Sequence, residues 1–486
     1  MHLDLPNEVL SHIFSFILTD KQKHHLSEDW LIDAWSVRLV CRQWNDLATK
    51  HLFHTLTLWH NVNTIEDEFS SWHHLLDSPA IRAAVRCVAI ETASPEDYGG
   101  CDISAWPESW IEEGEFPEFI SAIDRIAELP NLNALEVRFQ GLCKGREPHE
   151  EEFENSQGPQ PEPSITRIQT LGAVVKAVRK RAESPNMSSI CELVLDNLQN
   201  MPLGKDLTDG LLENIQRLHI FMTRESHSRP DLYLPEMREF EPYLEKTLLP
   251  TVADRLVELT LSGFGWGAIP GTFNPHSSGI SLPRLKSLTL DGYRILQPGQ
   301  VEWILQQKTL TSLHLHNCTI ASHCLVLQPE FSFWDVSLEG WKWVAEVPAE
   351  EELERYERQP ISHRPYSKQL KPGWYVNTMR WDTVFDDIRE KLPLLKDFRY
   401  DRKSRFVFFR HYELDIYAEA LWNRYHAFAQ RWFELPVDYF TVGCHHVQEN
   451  MLGKPEELLA LTEPADRQAL NRLLQTTKER RYGRKV

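Results

Sequence analysis

Leu310-Thr-Ser-Leu313-His-Leu315-His-Asn-Cys318 sets two leucines on alternate positions behind a leading leucine. A period of two is what a strand with one face in a core requires, and the Asn-Cys pair that follows caps the turn after it. Working outward, apolar-x-x-apolar-x-apolar occurs ten times: Phe53-Leu56-Leu58, Val85-Val88-Ile90, Leu132-Leu135-Val137, Ile190-Leu193-Leu195, Ile215-Leu218-Ile220, Leu256-Leu259-Leu261, Leu285-Leu288-Leu290, Leu310-Leu313-Leu315, Phe331-Trp334-Val336 and Leu395-Phe398-Tyr400. The steps between their central residues are 32, 47, 58, 25, 41, 29, 25, 21 and 64. Amphipathic helices precede several of them. Pro117 to Glu128 carries Phe119, Ile120, Ile123 and Ile126; Val301 to Gln307 carries Ile304 and Leu305; Val384 to Lys391 carries Phe385 and Ile388. Each leads through a short turn into the next strand.

Four of the nine steps lie within or at the edge of the range of about 20–29 residues of a leucine-rich repeat. Helix, turn and strand in alternation imply strands stacked into a parallel sheet with helices outside, because one such unit cannot bury its own apolar face. The fold class expected is α/β, with an irregular leucine-rich-repeat-like solenoid over residues 51–400. Only 310–318 extends to the full LxxLxLxxC form, so the hits also read as ordinary buried strands of an irregular α/β domain. Insertions are expected at about 147–163, 263–279 and 345–372. Glu147 to Pro163 is acidic and proline-rich and reads as a disordered loop, and Ala349 to Arg358 as a solvated charged helix. Gly263 to Gly279, glycine-rich around Trp266 and Phe273, lacks the Gly-Lys-Ser/Thr ending of a phosphate-binding loop and reads as a surface insertion.

At the amino terminus Pro6 stands in the first turn of a helix, where a missing N–H costs nothing. Val9, Leu10, Ile13, Phe14 and Ile17 then recur at helical spacing and make one apolar face that has to be covered. Ser27 is a candidate N-cap for a second helix carrying Trp30, Leu31, Ala34, Trp35, Val37 and Leu39 towards Cys41, with Trp44 and Leu47 beyond. Leu5-Pro6-x-Glu8-Val9, Ile13-Phe14 and Leu39-Val40-Cys41-Arg42-x-Trp44 together resemble an F-box. The resemblance covers about the first 50 residues, and the segment Thr19 to Asp33 is longer than is usual in the family. It implies a three-helix module (residues 1–50) that docks on a Skp-family adaptor and, through it, on a cullin scaffold. The chain would then be a substrate-recognition subunit of an SCF-type ubiquitin ligase, its repeat region holding an unidentified protein target. Leu5, Pro6, Val9, Ile13, Val40, Cys41 and Trp44 are the adaptor-binding residues the resemblance implies. Without it, the same face reads as a cap that packs on the rest of the chain.

Leu414, Tyr417, Leu421, Tyr425, Phe428 and Trp432 fall at steps of three or four and predict a helix ending at Pro436. A second helix is expected from about Pro464 through Leu474, so that residues 401–486 form a helical cap with a basic tail from Lys478, read as solvated disorder or, in the alternative, as a nuclear-import or acidic-partner contact.

Composition bounds the function. Apolar residues make up 42% and charged residues 25% of the 486, which excludes wholesale disorder and fibrous structure. Lys and Arg number 52 against 71 Asp and Glu, a net charge of −19 that makes nucleic acid a poor partner. No apolar run of about 18 residues and no signal segment is present, so a cytoplasmic or nuclear protein with no membrane partner is expected. The eight cysteines are scattered without a CxxC, and His24-His25, His73-His74 and Cys444-His445-His446 point adjacent side chains apart, so no metal, cofactor or catalytic residue is predicted. A non-catalytic receptor needs none, since partner enzymes carry out the transfer and the receptor supplies proximity. A non-degradative scaffold and an enzyme with an unrecognised site are the competing readings.

Overall fold

Nine of the ten apolar-x-x-apolar-x-apolar segments form strands, and the tenth, Phe331 to Val336, lies outside the described residues. The computed structural model describes residues 6–19, 36–92, 106–145, 161–223, 235–263, 273–326, 338, 340–345, 371, 373–401, 421, 424–429, 432–436 and 455–483. It divides into one unit of Met1–Asn197 with Leu203–Ile215 and a second of Leu198–Pro202 with Gln216–Val486. No helix among the described residues is long and apolar enough to cross a membrane.

The first unit begins with helices α1 (Asn7–Thr19) and α2 (Arg42–Leu52). It continues through β1 (Thr55–Trp59), α3 (Ser70–Asp77), β2 (Cys87–Glu91), α4 (Glu108–Glu113), α5 (Pro117–Asp124), β3 (Ala134–Arg138), β4 (Cys143–Lys144), β5 (Glu162–Pro163), α6 (Ser164–Ala182), β6 (Glu192–Gln199) and α7 (Lys205–Leu212). Strands β1, β2, β3 and β6 pair in parallel, and the pattern residues fall in register as Leu56, Val88, Leu135 and Leu193, then Leu58, Ile90, Val137 and Leu195. All eight are buried. Crossover helices supply the opposing apolar surface: Phe119 and Ile123 of α5 and Leu171, Val174 and Val175 of α6 are buried as well. Where the whole of 147–163 reads as a disordered loop, its last two residues are instead strand β5, paired with β4. Glu162 is fully buried there against Arg167 at 3.0 Å, an ion pair that composition along a window does not foretell.

The second unit runs β7 (Arg217–Thr223), β8 (Glu258–Gly263), β9 (Ser287–Asp291), β10 (Arg294–Ile295), α8 (Pro298–Gln306), β11 (Ser312–His316), β12 (Thr319–Val326), β13 (Lys342–Ala345), β14 (Gly373–Val376), α9 (Trp381–Lys391), β15 (Asp397–Asp401), β16 (Tyr425–Ala429), β17 (Trp432–Pro436) and α10 (Pro455–Tyr482). Strands β7, β8, β9, β11 and β15 pair in parallel, with Leu218, Leu259, Leu288, Leu313 and Phe398 level across them. The turn after β11 takes the form its sequence suggests. Asn317 adopts a left-handed φ of 50° and donates from Nδ2 to Asp291 at 2.9 Å, while the buried Cys318 thiol meets the Leu290 carbonyl at 3.4 Å.

Three expectations are corrected here. Residues 425–429 and 432–436 are strands, not part of a helix, and they join a second sheet ordered β13-β14-β12-β16-β17, with Ile320 opposite Tyr425. The helical cap therefore reduces, among the described residues, to α10, while Leu414 and Tyr417 lie outside them. The basic tail is helical to Tyr482, and Arg480 donates to the carbonyls of Leu392 and Arg389, closing the C-terminal end of α9. Phe273, read as part of a surface insertion, is buried with its ring 6.0 Å from Tyr293 and 5.8 Å from Trp303.

Candidate functional site

The apolar stripe of α1 serves two directions. Leu10 and Phe14, one turn apart, are buried and meet Ala48 of α2, with Val37, Trp44, Leu47 and Leu52 packed around them. Val9 and Ile13, also one turn apart but rotated by one residue, remain 42% and 39% exposed. Pro6, itself exposed, starts the helix by accepting from the amides of Val9 and Leu10 at 3.0 and 3.1 Å. It stands one residue before the helix rather than inside its first turn.

The second motif half folds around a break. Leu39 and Val40 form a turn in which the amide of Leu39 bonds the carbonyl of Ser36 at 3.1 Å, and both side chains face solvent, 85% and 61% exposed. Cys41 is the N-cap of α2, its sulfur accepting from the Trp44 amide at 3.5 Å. The helix expected to run from Ser27 towards Cys41 is thus interrupted at Leu39, and its portion from Ser27 to Trp35 lies outside the described residues. Polar contacts fix α1 on α2: Ser11 meets His51 at 2.9 Å, and Gln43 donates to Asn7 at 2.7 Å. Arg38 donates to Asn45 at 3.0 Å and stands over the Phe53 ring at 5.5 Å.

The sequence-derived residues thus separate. Pro6, Val9, Ile13, Val40 and Cys41 are exposed, Trp44 is half-buried in the module's own core, and Leu5 lies outside the described residues. Leu39, the most exposed large apolar side chain of the described chain, belongs beside Val40; the motif contained it and the reading of it as helical core passed it over. Apolar side chains held out in water over an already closed core are what a docking surface requires.

Residues 2–63 match the F-box-like family model. F-box domains in general bind Skp-family adaptors, and F-box proteins are in general non-catalytic, so the F-box-like segment points to an SCF-type adaptor-binding role. A comparison with curated proteins finds no match to the chain.

Outside the F-box-like segment, Ser312, His314 and Asp397 come together on the polar face of β11 and β15. The hydroxyl and the carboxylate both meet Nε2 of His314, at 3.2 and 2.9 Å. A relay needs nucleophile and orienting carboxylate on opposite ring nitrogens of the histidine base, so this cluster is not arranged as a nucleophilic triad. No group of three or more His, Cys, Asp or Glu among the described residues is placed to hold a metal ion.

The fully buried His60 was not singled out by its sequence. It sits among Phe69, Trp106, Trp110, Phe116 and Phe119, stacked on Trp106 at 5.0 Å and on Phe119 at 4.6 Å, and neither ring nitrogen has a hydrogen-bond partner. Burial in this aromatic box pushes its pKa down to about 3. The cage closes through Glu68 and Phe69, two consecutive residues at left-handed φ of 52° and 58°.

Proposed function

We propose that the chain is a substrate-recognition subunit of an SCF-type E3 ubiquitin ligase, docking a Skp-family adaptor, and through it a cullin, by residues 1–50. Leu5, Pro6, Val9, Ile13, Val40 and Cys41 form the contact, Leu39 extends it, and Trp44 supports it from inside. The parallel strands of residues 51–400, taken as a divergent leucine-rich-repeat-like array, hold the protein target. One observation carries the adaptor reading: Val9, Ile13, Leu39 and Val40 stay in water although Leu10, Phe14 and Ala48 have closed the core beneath them. Covering each such side chain stabilises a complex by roughly 1 to 2 kcal/mol.

Co-expression of the full chain with a Skp-family adaptor tests it. The pair is expected to co-purify, and Val9→Asp with Val40→Asp is expected to abolish association with the thermal melt unchanged. No association of the folded wild-type chain, or loss of the melt together with binding, would return these residues to the role of a cap. Ubiquitin transfer to a captured target in the reconstituted complex separates a receptor from a non-degradative scaffold.

A further inference from the structure

Arg181, near the end of α6, is buried at 3% exposure, yet its hydrogen bonds all go to neutral groups. Nε donates to the Leu129 carbonyl at 3.1 Å, and Nη2 to the carbonyls of Pro130 and Leu132 at 3.1 Å each and to the Ser188 hydroxyl at 3.0 Å. Nη1 reaches the Ser188 carbonyl. No carboxylate pairs with it among the described residues, and burial lowers its pKa with no charged partner to oppose the effect. Buried charges in proteins are ordinarily matched by a counter-charge. The other buried guanidiniums obey that rule: Arg167 has Glu162 and Arg424 has Asp466.

The unmatched guanidinium lines a cavity of about 180 Å³ within the first unit. Leu135, Val178, Ile190, Leu193 and Ile215 give part of it an apolar lining, beside Ser184, Ser189 and Asn214. The volume accommodates about six non-hydrogen groups at the volume each water occupies in the liquid. Glu213 also lines it but is solvent-exposed, so water screens its charge more than that of Arg181.

We propose that this cavity binds a carboxylate carried on a short aliphatic body, the carboxylate neutralising Arg181 and the aliphatic part lying against the apolar lining. One Nη1 hydrogen of Arg181 is left over after the five bonds above and points the pairing towards an anionic oxygen. The site is separate from the F-box-like segment and stands whether or not an adaptor binds there.

Calorimetric titration of the full chain with butanoate and with butanamide, its uncharged counterpart, tests the proposal. Butanoate is expected to bind saturably and butanamide at least about tenfold more weakly. Replacing Arg181 removes one donor from each of four carbonyls and risks the fold, so the second arm is Ala182→Phe, which fills the cavity from its exposed rim. That variant is expected to lose butanoate binding and keep its melting temperature. Equal binding of acid and amide, no saturable binding at millimolar butanoate, or undiminished binding in Ala182→Phe overturns the proposal. An acetylated tripeptide ending in a free leucine carboxylate, set beside its amide, identifies the source: binding tighter than butanoate assigns the carboxylate to a chain end, weaker binding to a free acid.

Discussion

Phe14 of α1 meets Trp44 of α2 edge to face, ring centroids 5.2 Å apart and planes at 74°, and this contact joins the two motif-bearing halves of the F-box-like segment. Phe14 is 1% exposed, so Phe14→Ala is expected to cost about 3–5 kcal/mol of module stability, seen as lost helical circular dichroism and a lower melting temperature. Val9→Asp acts on an exposed position and should leave both signals in place. Adaptor binding is lost in each case, and the melt distinguishes a broken scaffold from a spoiled surface.

Acid should weaken the first unit through His60. Its folded-state pKa of about 3 lies below the ordinary 6.5, so between those values the unfolded chain binds a proton that the folded chain does not. Stability is complete above pH 6.5 and declines as pH falls towards 3, by roughly 5 kcal/mol at the limit. Denaturant titrations at pH 7 and pH 5 measure the slope. His60→Phe, which fits an aromatic box and does not titrate, is expected to flatten it; an unchanged slope would place the acid sensitivity elsewhere.

Arg424 and Asp466 form an ion pair at 2.6 Å with side chains 2% and 0% exposed, and Tyr425 adds its hydroxyl to the same carboxylate at 3.1 Å. The pair fastens β16 to α10, and Asp466 also accepts from the amide of Asp382 at the start of α9. Asp466→Ala leaves a buried guanidinium without its counter-charge and should destabilise the second unit by about 3–5 kcal/mol, read by chemical denaturation. Replacing Arg424 and Asp466 together by leucine and methionine should cost less than the single change.

Gly210 lets α7 approach α6: a Cβ there would stand 2.4 Å from Cγ1 of Val175, which is buried. Alanine is the better helix former by about 1 kcal/mol, yet Gly210→Ala is expected to lower the melting temperature, because overpacking costs about 1–3 kcal/mol. Pairing it with Val175→Ala should restore the loss.

The strands were legible because each carries its own signature. Leu313 and Leu315 alternate within five residues, and the level placement of Leu288, Leu313 and Phe398 follows once the strands stack. Tyr425, Phe428 and Trp432 misled because helical spacing and two short strands put aromatics at the same intervals. What decides between them is pairing of Tyr425 with Ile320, more than a hundred residues away, and a window along the chain contains no trace of it. The F-box-like motif was equally local, and it located the module without separating Val9 from Leu10, helix neighbours of which one is exposed and the other buried. His60 and Arg181 were invisible for the same reason as β16: the cage draws on residues 60 to 119, and the cavity on residues 135 to 215.

In the first unit Trp59, Glu91, Arg138 and Asp196 stand level across four parallel strands, and the first three close theirs. Among the described residues β1, β2 and β3 therefore all leave the sheet at the same rim. Extra residues added at that rim alter no strand pairing, and each doubling of a connecting segment costs about 0.6 kcal/mol in closure entropy. Such a scaffold tolerates growth along one border while its hydrogen-bonded interior stays fixed, so residues inserted into a connection at that border leave the sheet intact.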